Sequence, residues 1–533
     1  MWVWHKEGFA LNQGRLGPVF YISIGVTAAF VVWGALMPEQ VTAAAGHALS
    51  FITRSFGWFY LTATFILLVF AFALAFGPYG KIRLGRDDDE PEYPFWTWLA
   101  MLFSAGMGIG LVFWGVAEPV YHYLSPPEGL EGSTVHSARA ALRYSFFHWG
   151  LQPWAIYTVI ALCLAYAHFR KGRSNLISAT LYPILGERTE GAIGKAIDTL
   201  AVIATVFGVA TSLGLGAMQI NGGLNFLIGF PQSTATELGI IAVVTVLFLL
   251  SASTGLNKGI KILSNVNLGI ASLLLLFVLF AGPTFFIVDA LTTTMGAYIG
   301  SIIPMSFRMT PFTGGTFVGS WTIFYWAWWI SWAPFVGSFI ARVSKGRTIR
   351  EFVAGVLFVP TVLSMVWFSA FGGTALYYEM FEGKAIAAAV QEDVTTALFI
   401  TLEQLPLGGV LVVVATLLIL TFFVTSADSA TFVLGMLTSQ GSLHPKLSTK
   451  LIWGVAVSGI ASVLLLTGGL SGVQTASIVI ALPFALILLL MAFAINKALS
   501  EEIRDMARKE KRRIQRIERW IAEEEASREE RTE

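Results

Sequence analysis

Four short stretches of this 533-residue chain have residue types and spacings suited to binding a solute. In SAGMGIGLVFWGVAEP, Gly106, Gly108 and Gly110 fall at every second position. A helix face recurs every three to four residues, so this spacing does not serve one packing face. Gly106 with Gly110 fits small-xxx-small helix packing. Each Gly also weakens a helix by about 1 kcal/mol relative to Ala. A helix broken here bares N–H and C=O groups that can hold a solute and an ion. A nucleotide-binding glycine loop is excluded, because no strand precedes the motif. In WTIFYWAWWISWAPFVG, Trp321, Trp326, Trp328, Trp329 and Trp332 fall within twelve residues. Trp321 suits an interfacial aromatic belt, whereas the others lie deeper in the run. Pro334, with Gly337 beyond it, predicts a helix break near mid-membrane.

The third stretch, FFHWGLQPWAIYT, carries Trp149, Trp154 and Tyr157. Trp154 and Tyr157 share a helical face, and a bend at Pro153 would bring Trp149 nearer. Buried aromatics usually build a core. Several converging faces also hold a quaternary ammonium, at about 0.5–2 kcal/mol per face. Such a site needs no acid and admits a zwitterion. The fourth stretch, FVTSADS from Phe422, sets Thr425, Ser426, Asp428 and Ser429 in an apolar helix. Hydroxyls there return their bonds to the backbone or, beside freed carbonyls, suit Na⁺. A further hydroxyl series is Thr205, Thr211 and Ser212, with no Lys or Arg between residues 196 and 226.

These stretches need a scaffold, and composition says which. Charged residues are 13% of the chain, against about 25% in a typical soluble domain. Of the 67 charges, 22 fall between Lys497 and Glu533, which makes the body lipid-solvated and the tail water-solvated. Twelve apolar runs are long enough to cross a bilayer: 17–37, 57–77, 96–117, 139–168, 193–221, 237–253, 263–288, 315–341, 351–375, 408–439, 451–468 and 473–496. Alternating β-barrel patterning is absent, so helices are predicted. With the N-terminus inside, the cytoplasmic segments carry 29 of the 34 Lys/Arg. That asymmetry places both termini in the cytoplasm of a multi-pass inner (cytoplasmic) membrane protein. The N-terminus lacks a signal-peptide pattern.

The net charge of +1 argues against nucleic acid, and Cys163 is the only cysteine. Residues 289–303 read either as an amphipathic surface helix or as a packed loop. The two breakable helices, spans 3 and 8, lie five spans apart. Five is odd, so spans 3–7 and 8–12 are predicted to be inverted repeats. The expected units are a cytoplasmic N-terminus (1–16), an accessory pair with linker (17–95), repeat 1 (96–288), an outer connection (289–314), repeat 2 (315–496) and a charged cytoplasmic helix (497–533). In that last helix, basic residues crowd Arg504–Arg519 and acidic ones the end. It is a solvated helix, or a regulator that binds anionic lipid or a neighbouring subunit.

GMGIGLVFWGVAEP, HWGLQPWAIY, ATVFGVATSLGLGA and the Trp run continuing to ARVSKGRTIREF resemble the betaine/choline/carnitine transporter family, over roughly residues 14–496. The resemblance implies an all-α membrane protein with twelve transmembrane helices. It implies a LeuT-like core of two inverted five-helix repeats, and a homotrimer. It implies an aromatic cage of Trp149, Trp154, Tyr157 and Trp329, with Trp328 and Trp332 beside the pathway. Backbone N–H groups at Gly106, Gly108 and Gly110 would face a substrate carboxylate. A Na⁺ site would use carbonyls near Ser104 and Met107, the Phe422 carbonyl, and the hydroxyls of Thr425 and Ser426. A second would use Thr205, but its partner position is Val209, which offers no oxygen.

Family members resembling choline transporters carry Asp where this chain has Gly110. Its absence favours a zwitterion, because a second carboxylate would repel the substrate's own. Gly110→Asp is expected to shift selectivity toward choline. The implied function is Na⁺-coupled import of glycine betaine or a related compatible solute by alternating access, with no organic cofactor. The alternatives are a sodium-independent exchanger of carnitine-like betaines, a choline carrier and, from another class, an osmosensitive channel. An enzyme is not expected: HExxH, paired metal-ligand cysteines and a Walker A loop are all missing.

Overall fold

The computed structural model describes residues 16–106, 108–253 and 257–529, with the side chains at 103–107, 257–261 and 525–529 outside that description. The described residues are helical apart from connections and one isolated bridge, Arg83 to Thr348. In chain order the long helices are α1 (Pro18–Leu36), α2 (Pro38–Phe76), α3 (Phe95–Gly106), α4 (Ile109–Leu124), α5 (Val135–Trp149), α6 (Leu151–Ala165), α7 (Ala192–Ile228), α8 (Thr234–Ser253), α9 (Asn257–Ala281), α10 (Thr284–Ser306), α11 (Phe324–Val343), α12 (Ile349–Phe381), α13 (Gly408–Thr438) and α14 (Leu447–Glu529). Among the described residues, ten helical segments are long and apolar enough to cross a membrane. This is a multi-pass membrane protein. In lipid the helix satisfies its own backbone, which explains why so apolar a chain folds this way.

Burial separates centre from periphery. The most apolar windows of Val135–Arg170 and Ala192–Ile228 are 94% and 89% buried, against 22% for α1 and α8. The α5–α6 unit and α7 therefore form the interior, and α1 and α8 present most of their surface outward. Close approach at the centre depends on Gly208. A Cβ there would lie 2.9 Å from the Ser331 backbone carbon and 3.0 Å from the Trp332 nitrogen, so α7 touches the backbone of α11.

Helix breaks depart from expectation in instructive ways. The glycine stretch does interrupt its helix: α3 ends at Gly106, α4 starts at Ile109, and Gly108 is extended. The predicted break at Pro334 is absent, and α11 runs through it. The irregularity lies earlier, in a π-helical turn at Val318–Ile323. A Pro removes one backbone bond, and neighbouring packing in a bundle makes that tolerable. The aromatic span breaks at Gly150 rather than bending at Pro153. Gly150 has φ −96° and ψ −134°, and it separates α5 from α6. Tyr298 of α10 stabilises that break, its hydroxyl accepting from Leu151 N at 3.1 Å and donating to Gln152 Oε1 at 2.8 Å.

Other boundaries move too. The predicted span 57–77 is the end of a 39-residue helix that starts at Pro38, because the Ala-rich stretch before it is helical though less apolar. Residues 289–303 are not a packed loop but part of α10. The predicted span 96–117 ends too early, and residues 118–124 are the last turns of α4. α14 is two helices joined at Gly468 and Gly469, where Gly469 has φ +53°. Gly208→Val should drive α7 and α11 apart at a cost of about 1–3 kcal/mol. Thermal unfolding of the detergent-purified variant should show a lower midpoint than the parent.

Candidate functional site

Two helix interruptions aim side chains at one buried centre. α5 ends on Trp149, and α6 begins just beyond and carries Trp154 and Tyr157. α11 supplies Trp328, Trp329 and Trp332 from one face. Trp149 and Trp329 meet edge to face at 4.7 Å, and Trp328 stacks on Trp329 at 4.7 Å. Tyr157 lies 6.3 Å from Trp329, and Trp154 lies 5.5 Å from Tyr157. The four expected cage residues thus form one continuous cluster, with Trp154 joined through Tyr157. Trp332 stands further along, 6.5 Å from Trp328. Among the described residues, the buried Tyr157 hydroxyl, the Trp328 and Trp332 indole N–H groups and the Ser331 hydroxyl have no hydrogen-bond partner. Buried polar groups are nearly always paired, and these four on α6 and α11 are exceptions.

The glycine stretch borders this cluster. A Cβ on Gly110 would meet Trp328 Cη2 at 2.5 Å and Trp149 Cη2 at 3.2 Å, and one on Gly108 would lie 3.7 Å from Trp332 Cη2. Gly110 is therefore required by packing: the two indoles occupy the space a side chain would take. Gly110→Asp changes packing as well as charge and cannot isolate the charge effect. Nothing is described of the Gly106 surroundings.

Behind Trp149 lies a residue that sequence reasoning passed over. Glu118 of α4 is fully buried. Its Oε1 accepts from His148 Nδ1 at 2.6 Å and His122 Nε2 at 3.1 Å. Its Oε2 accepts from the Tyr325 hydroxyl at 2.6 Å and Trp149 Nε1 at 2.8 Å. The sequence signal was present: an acid flanked by FWGVA and PVYHY, with His122 one helical turn on. Intramembrane acids are functional candidates by default.

The expected Na⁺ ligands are only partly brought together. Thr425 Oγ1 donates to the carbonyls of Thr421 at 3.0 Å and Phe422 at 3.2 Å, and Ser426 is half-buried beside it. Ile109 and Phe423 both crowd Gly216, so this part of α13 lies near the start of α4. Met107 and the Ser104 side chain lie outside the described residues. Asn267 of α9 also reaches this place, its Nδ2 3.5 Å from Thr425 Oγ1 and its buried Oδ1 unpartnered among the described residues. An amide oxygen beside a hydroxyl suits a hard cation, and the stretch Ser264-Asn265-Val266-Asn267 does not by itself single out Asn267. Thr205 donates to its own helix at Ala201 O, 2.7 Å, and Val209 is buried. Thr211 is paired with Ser477 at 2.7 Å.

Fold and site together define a class: a helical multi-pass membrane protein with an aromatic, sparsely charged centre reached by broken helices. A family model of betaine/carnitine/choline family transporters matches residues 18–504. The chain is 54% identical over 500 residues to the glycine betaine transporter OpuD of Bacillus subtilis, covering 93% of this chain and 97% of that one. It is 49% identical to the ectoine/hydroxyectoine transporter of Virgibacillus pantothenticus, covering 92% and 98%. It is 44% identical to a glycine betaine transporter of Acinetobacter baylyi, covering 90% and 73%. The chain belongs to the betaine/carnitine/choline transporter family, and it is a transporter rather than an enzyme.

Gly110→Ala should displace the Trp328 and Trp149 rings. Near-ultraviolet circular dichroism should change, because the coupled indoles are reoriented, while the far-ultraviolet helical signal stays within error of the parent.

Proposed function

We propose that this chain imports a quaternary-ammonium zwitterion, glycine betaine or a related compatible solute, together with Na⁺, by alternating access. The observation that carries the reading is the Trp149–Tyr157–Trp329 cluster. Aromatic faces attract a methylated ammonium without a net counter-charge. The backbone at Gly108 and Gly110 is the natural place for the substrate carboxylate, since Gly108 is extended and opens a helix start. The names of the relatives agree with a compatible solute. The hydroxyl of Thr425, the carbonyl of Phe422 and Ser426 are the proposed Na⁺ ligands, with carbonyls around Ser104 and Met107 completing the site. Thr205 remains a weak second candidate, because Val209 supplies no oxygen.

The proposed architecture has twelve crossings, counting α3–α4 and α5–α6 each as one broken unit, the π turn with α11 as one and the two parts of α14 as two, with α10 lying on the outer surface rather than crossing. It has inverted repeats, both termini in the cytoplasm, a cytoplasmic-membrane location and a trimeric assembly. Purified full-length chain in proteoliposomes should accumulate labelled glycine betaine under an inward Na⁺ gradient and not under K⁺. Ectoine, carnitine and choline as competitors rank the substrates. Trp329→Ala should raise the KM about tenfold or more, the loss of one or two cation–π faces. Counterflow of equal rate without Na⁺ would favour the exchanger reading instead.

The tail supports a regulatory role. α14 continues from its membrane part to Glu529 with residues 507–524 exposed. At its base Glu502 accepts from Tyr166 at 2.6 Å, Arg170 Nε at 2.5 Å and Lys171 at 2.7 Å. Tyr166 and Arg170 are the first and last residues of the π-helical turn that continues α6, the helix that carries Trp154 and Tyr157, and Lys171 caps that turn. The charged stretch beyond suits anionic lipid, an attraction that salt screens. Deleting residues 504–533 keeps this anchor. Uptake measured against external osmolality should show a shifted activation curve and an unchanged KM for betaine.

A further inference from the structure

Glu118 sits where no solvent reaches, and it answers to three helices. An ionised carboxylate has about four lone-pair sites. Here four donors take them: His122 and His148 on Oε1, Trp149 and Tyr325 on Oε2. The carboxylate is thus bonded to its own helix α4, to the end of α5 and to α11. The linkage extends by one more step. His148 Nε2 lies 3.0 Å from Thr322 Oγ1, and the His148 carbonyl accepts from Trp329 Nε1 at 3.0 Å. Two indoles of the aromatic centre therefore have their N–H edges fixed by one network. Trp149 is held by Glu118 itself, and Trp329 by the residue whose ring Glu118 holds.

Glu118, His122 and His148 also have the composition of a metal site. The geometry opposes that. Oε1 and His148 Nδ1 are 2.6 Å apart, whereas two ligands at about 2.0–2.1 Å on a tetrahedral zinc stand roughly 3.3 Å apart. They are bonded to each other rather than aimed at a common point.

From this we infer that Glu118 is a positioning residue: its charge fixes the orientation of Trp149 and, through His148, of Trp329, so that both indole faces are set for the ammonium group. The inference rests on the transport reading above. It adds an electronic effect. An indole whose N–H donates to a carboxylate is polarised, because linked hydrogen bonds strengthen one another in low dielectric. The ring face then carries more negative charge toward a cation. Charge-assisted bonds are about twice as strong as neutral ones, so an amide at this position would hold the ring less well. Gln would also present an NH₂ group to donors that need an acceptor.

The test uses full-length purified chain in detergent with NaCl, and equilibrium binding of labelled glycine betaine. Glu118→Gln should weaken binding about tenfold, as should Trp149→Phe, and the double variant should fall well short of the roughly hundredfold product, since the two act in part through one ring. Multiplying effects, or a Glu118→Gln affinity within twofold of the parent, would overturn the inference. Should Glu118→Gln fail to fold, Tyr325→Phe tests the same oxygen. It keeps the ring and deletes one donor, and should weaken binding about threefold to tenfold; parental affinity overturns the inference. Ultraviolet resonance Raman of the indole N–H gives a readout that loss of stability alone would not move. The parent-minus-Glu118→Gln difference should show a weakened N–H bond, and it should lose its larger part in a Trp149→Phe background. A difference that is undiminished there counts against the inference. If the parent binds no betaine, the transport reading falls, while the Raman result still judges whether Glu118 orients Trp149.

Discussion

A carboxylate enclosed by protein within a bilayer must be surrounded by donors, because unpaired it costs several kcal/mol. Glu118 meets this requirement completely, with four donors from α4, α5 and α11. The consequence is geometric. Helices that share one ion cannot slide past one another without breaking it. α4 begins at a helix interruption, α5 ends at one, and α11 carries the tryptophan face. Their shared ion stands at the meeting point of the three elements that build the aromatic centre.

Helix interruptions do the complementary work. A continuous helix through residue 150 would carry Trp149 and Trp154 in fixed register, five residues apart and on different faces. The break at Gly150 frees that register, so that Trp149 approaches Trp329 while Tyr157 reaches the same ring. Tyr298 makes the break affordable by taking the Leu151 N–H. A side chain at residue 150 would collide with the Phe146 carbonyl. Flexibility is not the point of these glycines; close approach is.

Much of this was legible in the sequence, and the exceptions have causes. The tryptophan run, the glycine interruption and the aromatic triplet announce themselves through residue types that are rare at such density. Helix content followed from apolar runs and from the lack of alternation. Pro334 does not break α11, because a proline's local effect is offset by the packing that surrounds it there. Gly150 was overlooked beside the more conspicuous Pro153. Glu118 is hidden from a hydropathy reading because the apolar run ends at residue 117, whereas α4 continues for seven more residues, to Leu124. Asn267 had no pattern at all. Its role beside Thr425 depends on α9 meeting α13, which no local spacing encodes.

Gly110 brings these threads together. On electrostatic grounds its lack of a carboxylate favours a zwitterion. On steric grounds it has no room for a side chain while Trp328 and Trp149 keep their places. A carboxylate does stand close by, in Glu118, yet its lone pairs are occupied by His122, His148, Trp149 and Tyr325. Under the transport reading, a ligand's ammonium then meets indole faces rather than a free anion. Under the transport reading, a net cation gains less from such a site than from an open carboxylate. A zwitterion brings its own anion and meets no competing one. The preference for a zwitterion thus rests on how Glu118 is occupied as much as on what is missing at Gly110.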